Sequence, residues 1–215
     1  MQEEKRIKHY SNFHKILLVG EGDFSFSTCL ARAFGSATNM VATSLDNRAM
    51  VIVKHPTAKA NLETLENLQC TIFHEVDAHT MSTHPLLKTM KFDRIVFNFP
   101  HAGFYYRGEH NQLQIQLHQE VLRGFFRNAR NMLTINGEIH VTHKTAYPFS
   151  KWEVEKLGEE AGLYLVEKVK FTKYDYPGYE NKKGDGLNSD GTFPVGECST
   201  FKFAYLRLSA LSIFA

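Results

Sequence analysis

The segment over residues 15–27, KILLVGEGDFSFS, constrains the fold more than any other part of the chain. Its apolar run without polar alternation is typical of a strand that is buried on both faces, as in a parallel sheet. Gly20 and Gly22 follow at once, and because glycine has no Cβ, the chain can turn sharply there and bring its main chain close to a ligand. We therefore predict an α/β protein whose first strand ends at a binding site for a nucleoside-sized ligand.

Strand and helix patterns alternate along the rest of the chain. The predicted elements are a helix over 24–34, a strand over 40–45, a helix over 48–67 broken at His55-Pro56, strands over 71–76 and 92–97, a long amphipathic helix over 113–133, a strand over 138–142, a helix over 150–161, and two closing strands over 163–171 and 201–208. This order indicates an α/β fold with a mainly parallel central sheet, helices on both faces and a C-terminal antiparallel hairpin. Such an ending is typical of the Rossmann-like methyltransferase version of the doubly wound sheet.

The composition predicts one domain. With 215 residues, 43% of them hydrophobic, the chain is long enough for one well-buried domain. We assign this domain to residues 15–208, between an N-terminal extension over 1–14 and a C-terminal tail over 209–215. The net charge of +2 allows a polyanionic partner without demanding one.

The cysteines and the first residues indicate the compartment. Cys29, Cys70 and Cys198 are widely spaced and odd in number, which is typical of free thiols rather than of disulfides or a zinc site. The first residues are charged, and no apolar run approaches the roughly 20 residues that span a bilayer. We therefore expect a soluble intracellular protein with no metal and no membrane partner. Its oligomeric state is left open.

The glycine turn and two later acids predict the cofactor. The third glycine of the dinucleotide fingerprint is replaced by Ser25, which argues against NAD, whose pyrophosphate needs the helix amino end close by. S-adenosylmethionine has no pyrophosphate and tolerates bulk there. Asp46 follows the second strand and either accepts hydrogen bonds from the ribose hydroxyls or caps a helix. Asp77 follows the third strand and either accepts a hydrogen bond from an adenine amino group or is another helix cap. The predicted cofactor-binding residues are Gly20, Glu21, Gly22, Asp23, Phe24, Ser25, Asp46 and Asp77.

The end of the fourth strand predicts the chemistry. Its sequence Asn98-Phe99-Pro100-His101 is similar to the Asn/Asp-Pro-Pro-aromatic motif that amino-group methyltransferases place over the reactive methyl group, with Phe99 where a proline is more usual. The Asn side chain and a neighbouring carbonyl can position a planar nitrogen there. The alternative is a simple turn, since Asn and Pro also favour loops for local reasons. We take these four residues as the candidate catalytic set.

Several segments together resemble one family. VGEGDFSFS, FNFPHAG, HVTHK, YPGYENKKGDG and TFKFAYL are similar to segments of the eukaryotic 25S rRNA uridine-N3-methyltransferase-like family, and most similar to its plant members, from about residue 15 to 208. The resemblance implies a Rossmann-like class I methyltransferase fold, S-adenosylmethionine as cofactor and methylation of uridine N3 in large-subunit ribosomal RNA. It also implies a nuclear or nucleolar location, with the cytoplasm as an alternative.

Methylation at N3 of uracil requires the loss of the proton that this nitrogen carries at neutral pH. His101 is the first candidate base, since imidazole titrates near neutral pH. Asp23 is the second, although its place in the glycine loop also suits a contact to the methionine amino group. Lys144, after the fifth strand, either stabilises a uracil anion, holds a phosphate or is a solvated strand-end lysine.

The loop over residues 172–199 interleaves tyrosines with lysines, and we predict that it forms a substrate lid, because Tyr rings stack on unpaired bases while lysines hold the backbone. The residues after the Asn-Phe-Pro-His turn would form the opposite lip. The predicted substrate-binding residues are Tyr105, Arg107, Lys144, Tyr176, Tyr179 and Lys182. Two other functions stay open: a small-molecule methyltransferase, and a non-catalytic cofactor- or nucleotide-binding module of the same fold.

Overall fold

The computed structural model describes residues 3–106 and 108–205, and within these ranges a seven-stranded sheet forms the centre of the protein. A separate hairpin pairs β1 (Arg6–Ile7) with β2 (Tyr10–Ser11). The central strands are β3 (Ile16–Val19), β4 (Met40–Thr43), β5 (Thr71–Phe73), β6 (Phe92–Asn98), β7 (Leu133–Lys144), β8 (Tyr164–Lys170) and β9 (Cys198–Ala204). Their order is β5-β4-β3-β6-β7-β9-β8, with β3 to β7 parallel and β9 antiparallel to both neighbours. The predicted parallel sheet with antiparallel closing strands is confirmed.

Helices cover both faces of this sheet. They are α1 (Ser25–Phe34), α2 (Arg48–Lys54), α3 (Ala58–Asn67), α4 (Gln112–Met132) and α5 (Val154–Glu160). Local chemistry sets several ends: the Asn111 side chain accepts from the first backbone N–H groups of α4, and α2 stops before Pro56. The sequence predicts a helix from Ser150, but residues 149–152 form a 3-10 turn instead. The helix α5 begins only after Glu153, whose backbone is left-handed.

Successive residues of the central strands face opposite sides of the sheet and belong to two cores. Leu17 and Val19 pack with Phe125 of α4, whereas Ile16 and Leu18 pack with Leu30 of α1. Because both faces are buried, these strands are apolar without alternation, as the sequence predicted. No helix within the described ranges is long and apolar enough to cross a membrane.

The N-terminal hairpin packs on the same body through a buried polar contact. Tyr10 is 1% exposed, and its hydroxyl lies 3.2 Å from Nδ1 of His140 in β7. The other ring nitrogen of His140 lies 2.8 Å from Oε2 of Glu138. The His140 contact lowers the pKa of the Glu138 carboxyl to about 2. The hairpin therefore packs against the central sheet, and the division into an extension over 1–14 and a domain from residue 15 stays a prediction.

Buried histidines predict that stability falls in mild acid. Burial lowers the pKa of His9 and His118 to about 3, and that of His140 and His143 to about 4, from an ordinary value of 6.5. At a pH between the lowered pKa of the folded protein and 6.5, the histidine is protonated in the unfolded chain but neutral in the folded chain. Each histidine therefore removes up to about 1.4 kcal/mol of unfolding free energy per pH unit as the pH falls below about 6.5. Glu21 opposes this effect, because burial raises its pKa to about 7 and the folded chain then holds one extra proton.

Urea unfolding between about pH 7 and pH 5 measures this dependence, and we expect the unfolding free energy to decrease with the pH. Replacing His140 with Gln, which cannot be protonated in this range, should reduce the slope of the unfolding free energy against pH. The reduction corresponds to about one proton fewer taken up on unfolding. An unfolding free energy that stays constant from about pH 7 to pH 5 would contradict the assignment.

Candidate active site

A cavity of about 320 Å³ opens where β3, β4 and β6 end. Val19 pairs with Phe97, so the turn after β3 lies beside Asn98 at the end of β6. The strand order reverses at this point, which is where ligands bind in open α/β sheets. The predicted residues that line this first cavity are Gly20, Glu21, Gly22, Asp23, Asp46, Asn98, Phe99, His101, Tyr105, Tyr179 and Lys182. Most of the predicted site is thus brought together at one edge.

The turn after β3 requires glycine at its first position, Gly20. Gly20 has a φ of +66°, and an added Cβ would lie 2.6 Å from the ring of Phe97. A larger residue there would be strained and would displace a core side chain. Gly22 has no left-handed backbone, and an added Cβ would lie 3.4 Å from the Cβ of Lys182. The sharp turn thus depends on Gly20, whereas Gly22 mainly leaves room beside the cavity.

The two acidic residues of the turn, Glu21 and Asp23, fix it through hydrogen bonds to neighbouring residues. Oε2 of Glu21 accepts from the backbone N–H of Ser27 at 3.1 Å and from its hydroxyl at 2.7 Å. Asp23, which is 3% exposed, accepts from the backbone N–H of Ser25 at 3.0 Å and from the Thr57 hydroxyl at 3.1 Å. Both carboxyl groups line the first cavity. Because both of its oxygens are engaged, Asp23 is a poor general base.

Two predicted cofactor residues lie outside the cavity lining. The Phe24 ring is fully buried in the core, since its backbone turns with a φ of 60° just before α1. The hydroxyl of Ser25 lies 2.9 Å from the backbone nitrogen of Glu180 and 3.3 Å from its carbonyl oxygen. These residues shape the turn and anchor the segment after β8. Their predicted place in the cofactor-binding turn stays a prediction.

The two strand-end aspartates differ in position. Asp46 lines the first cavity, and its Oδ2 accepts from Nζ of Lys54 at 2.8 Å. Asp77 is exposed and lies outside the lining, and its Oδ1 accepts from the backbone N–H of His79 at 2.8 Å. The carboxylate of Asp77 thus stabilises a local turn, and its predicted contact to adenine is not supported.

Asn98 has a buried side chain without partners. Among the described residues, neither Oδ1 nor Nδ2 of Asn98 has a hydrogen-bond partner, although both atoms are buried. The next residue, Phe99, has a left-handed φ of 48°, and its N–H donates to the carbonyl of Thr142 at 2.8 Å. A buried unpaired amide is unfavourable by about 1–3 kcal/mol. Asn98 therefore combines an unpaired buried amide with a place in the lining of the first cavity.

His101 is held on both sides of its ring. Nδ1 accepts from the backbone N–H of Gly103 at 2.9 Å. Nε2 is buried and faces the carboxylate of Glu109 at 3.8 Å, too far for a hydrogen bond. The ring also packs on His118, which stacks on Trp152. Because the Nδ1 lone pair is occupied and the proton of the neutral ring is then on Nε2, the geometry argues against the predicted role of His101 as general base.

The same cluster brings three potential metal ligands close together. Nitrogen and oxygen atoms of His101, Glu109 and His118 all lie within 4.8 Å of one another. The Nε2 proton of neutral His101, however, presents a donor rather than a lone pair to this point. The His101 ring lowers the pKa of Glu109, so a carboxylate faces that donor at neutral pH. An electrostatic contact between side chains describes the cluster better than a metal centre.

A second cavity of about 210 Å³ adjoins the first, and Phe99 and His101 line both. Nζ of Lys144 lies 4.4 Å from the centroid of the Phe149 ring and 4.8 Å from that of Phe193. Lys144 is half-buried, so its ammonium group is not fully solvated. The lining consists of Phe99, Pro100, His101, Phe104, Glu109, His143, Lys144, Phe149, Trp152, Lys182, Lys183 and Phe193.

The segment between β8 and β9 folds over the sheet edge, and two of its three tyrosines point inward, whereas Tyr174 is 96% exposed. Tyr176 is 3% exposed and stacks on Phe171, so it cannot stack on a base as the sequence suggested. Tyr179 is also buried, although it lines the first cavity. Lys182 lines both cavities and forms an ion pair with Asp190 at 2.9 Å. This segment is a packed wall rather than a loose lid.

The side of the first cavity opposite the segment between β8 and β9 is more exposed to solvent. Tyr105 is 73% exposed at the edge of the first cavity, as expected for a lip residue. Arg107 and the predicted C-terminal tail lie outside the described residues.

Several residues of the second cavity are not predictable from the sequence. Glu109, Phe149, Trp152 and Phe193 come from connecting segments without a recognisable motif. The single tryptophan of the chain was the only available signal.

The fold is that of the class I methyltransferases, the S-adenosylmethionine-dependent class. The ribosomal protein L11 methylase of Lactobacillus delbrueckii subsp. bulgaricus has the same fold, with a TM-score of 0.52 over 90% of this chain and 70% of that chain, at 12% sequence identity. Residues 17–183 match the BMT5-like family, described as rRNA (uridine-N3-)-methyltransferase BTM5-like. The chain belongs to this family. The predicted family, fold and cofactor class are thereby confirmed.

Two plant proteins show how this chain relates to longer and shorter relatives. An uncharacterized protein of Arabidopsis thaliana is 55% identical over 202 residues, which is 93% of this chain and 97% of the relative. Heavy metal-associated isoprenylated plant protein 41 of the same species is 51% identical over 207 residues, 96% of this chain but 40% of the relative. The chain thus spans well under half of that longer protein.

Proposed function

We propose that this protein transfers a methyl group from S-adenosylmethionine to N3 of a uridine in large-subunit ribosomal RNA or its precursor. The observation that carries the proposal is the buried, unpartnered amide of Asn98, a residue that lines the first cavity and directly precedes residues that line both cavities. A ligand that satisfies this amide would offset its desolvation cost. The description of the family supports uridine N3 as the target atom.

The first cavity fits the cofactor. Gly20 lets the main chain approach a ligand, and Asp46 offers a carboxylate at the end of β4 to the ribose hydroxyls. Glu21, Gly22 and Asp23 complete that side. S-adenosylmethionine supplies the methyl group, and its sulfur keeps the electron pair of the broken sulfur–carbon bond.

The second cavity fits the target base. Rings of Phe104, Phe149 and Phe193 offer flat apolar surfaces on which a base taken out of its stack can pack. Asn98 and the turn through Phe99 and Pro100 would orient its nitrogen toward the first cavity, which is a positioning contribution.

RNA outside the target base would meet the rim of both cavities. The exposed ring of Tyr105 lies there, and the side chains of Lys182 and Lys183 line both cavities. With Arg107, these residues form the proposed RNA contact, through stacking and phosphate contacts. We further propose residues 15–208 as the methyltransferase domain and the nucleus or nucleolus as its location.

Calorimetric titration with S-adenosylmethionine, S-adenosylhomocysteine and NAD tests the cofactor first. We expect binding of both adenosyl compounds and none of NAD. Binding of NAD alone would contradict the proposal, and the absence of any adenosyl binding would favour a non-catalytic module.

Methylation is then measured on unmodified large-subunit rRNA made by transcription, with mass spectrometry of the released nucleosides. The expected product is 3-methyluridine. Methylation of free uridine or of another metabolite, with none on RNA, would instead identify a small-molecule methyltransferase.

A further inference from the structure

The second cavity carries an excess of positive charge. Three lysines line it, Lys144, Lys182 and Lys183, against the single carboxylate of Glu109 among the described lining residues. Lys182 is already paired with Asp190. The cavity is therefore suited to an occupant that is anionic or becomes so.

Lys144 is half-buried and, unlike Lys182, lies against aromatic rings instead of a carboxylate. Its ammonium group lies against the rings of Phe149 and Phe193, and within the described parts of the chain no carboxylate oxygen comes within 4.0 Å of it. Burial lowers its pKa, which means that the charge has lost hydration without gaining an ion pair. The titratable or charged groups around it are His101, Glu109, His143, Lys182, Lys183 and Cys198.

The two candidate bases, His101 and Asp23, are not well placed to take the proton from N3, and the carboxylate of Glu109 in the second cavity is a weak base because the His101 ring lowers its pKa. The carboxyl group of Glu21 lines the first cavity and is held by Ser27. Both nitrogens of His101 are engaged or buried, and both carboxylate oxygens of Asp23 accept hydrogen bonds. Stabilisation of the negative charge is another way to ease loss of this proton. When N3 of uracil is deprotonated, its charge spreads to the two ring carbonyl oxygens, which an ammonium group can contact.

We propose that Lys144 offsets the negative charge that uracil develops in the second cavity, and so acts as the catalytic residue that makes N3 nucleophilic. This inference rests on the proposed function. The N3 proton leaves to solvent, the N3 lone pair forms the bond to the methyl carbon, and Lys144 keeps its own proton throughout. Fixed charges aimed at developing charge in a water-poor site are among the largest contributions to catalysis.

The test compares two transcripts of large-subunit rRNA, one with uridine and one with 5-fluorouridine, whose N3 is more acidic. Single-turnover methylation is measured with saturating S-adenosylmethionine. We expect Lys144→Met to lower the rate on uridine RNA about 100-fold. On 5-fluorouridine RNA the loss should shrink to about 10-fold or less, because the substrate needs less help to lose its proton. Lys144→Arg, which keeps the charge, should retain more activity than Lys144→Met on uridine RNA.

The outcomes separate the possible roles of this lysine. Equal losses on the two transcripts would overturn the inference and identify Lys144 as a phosphate contact or a structural residue. No methylation of either transcript by the unmodified protein would instead overturn the proposed function. Lys151→Met, which removes an exposed lysine outside both cavities, is the matched control and should leave both rates unchanged. Thermal unfolding checks each variant, and Lys144→Gln replaces Lys144→Met if the latter does not fold.

Discussion

Replacing Asn98 with alanine is expected to lower the rate of methyl transfer about 100-fold, because the target nitrogen loses the group that positions it. Affinity for S-adenosylmethionine should change little, since the other residues of the first cavity remain. Stability should also be nearly unchanged: the substitution removes packing but also two buried polar atoms without partners, whose desolvation costs about 1–3 kcal/mol. Single-turnover methylation, titration with the cofactor and urea unfolding measure the three quantities.

A second asparagine provides the control for this variant. The side chain of Asn39 donates to the carbonyl of Asn12 at 2.9 Å and lines neither cavity. Asn39→Ala should therefore lower the unfolding free energy by about 1 kcal/mol and leave methylation intact. If Asn98→Ala lost stability and kept its activity, the amide of Asn98 would be a structural group and the proposed site would be wrong.

Replacing Asp46 with alanine is expected to weaken binding of S-adenosylmethionine about 10- to 100-fold. A hydrogen bond to a charged group contributes about 1.5–3 kcal/mol, which corresponds to a change of this size in the dissociation constant. The substitution also leaves Lys54 without its partner at 2.8 Å, so a free cation would face the ribose position. Calorimetric titration at constant salt measures the change.

Asp77 offers a matched comparison, because it is also an aspartate that follows a strand. It is exposed, lies outside the first cavity and bonds the backbone of His79. We expect Asp77→Ala to bind the cofactor as the unmodified protein does. Full affinity in the Asp46 variant, or a loss in the Asp77 variant, would require the ribose and adenine positions to be reassigned.

The contrast between Asp46 and Asp77 shows that a local sequence pattern does not determine where a strand-end side chain lies. Both follow apolar strands, and the sequence predicts the same kind of role for each. The structure separates them because β4 lies next to the central strand β3, whereas β5 lies at the edge of the sheet. Lys54 of α2 also faces Asp46, while the chain after Asp77 turns away in a local hydrogen bond. Strand order and side-chain direction decide this difference, and neither is contained in a short segment.

In the long segment between β8 and β9, the sequence likewise does not determine which tyrosines are exposed. Interleaved rings and lysines predicted an open lid, because such residues stack on bases when they are exposed. Tyr176 instead packs with Phe26 and Phe171, since the segment closes one side of the core. Residue type alone does not tell whether an aromatic ring is used for binding or for burial.

By itself, the sequence determined the alternation of strands and helices, the turn at Gly20, the Asn98–His101 turn and the family. These features depend on backbone preferences and on apolar runs, which act over a few residues. Only the tertiary structure decided which nitrogens of His101 are engaged, that Lys144 lies between two rings, and that Glu109 and Trp152 belong to the second cavity. Burial, charge and hydrogen-bond partners arise from contacts between distant segments, so they become defined only when the chain packs.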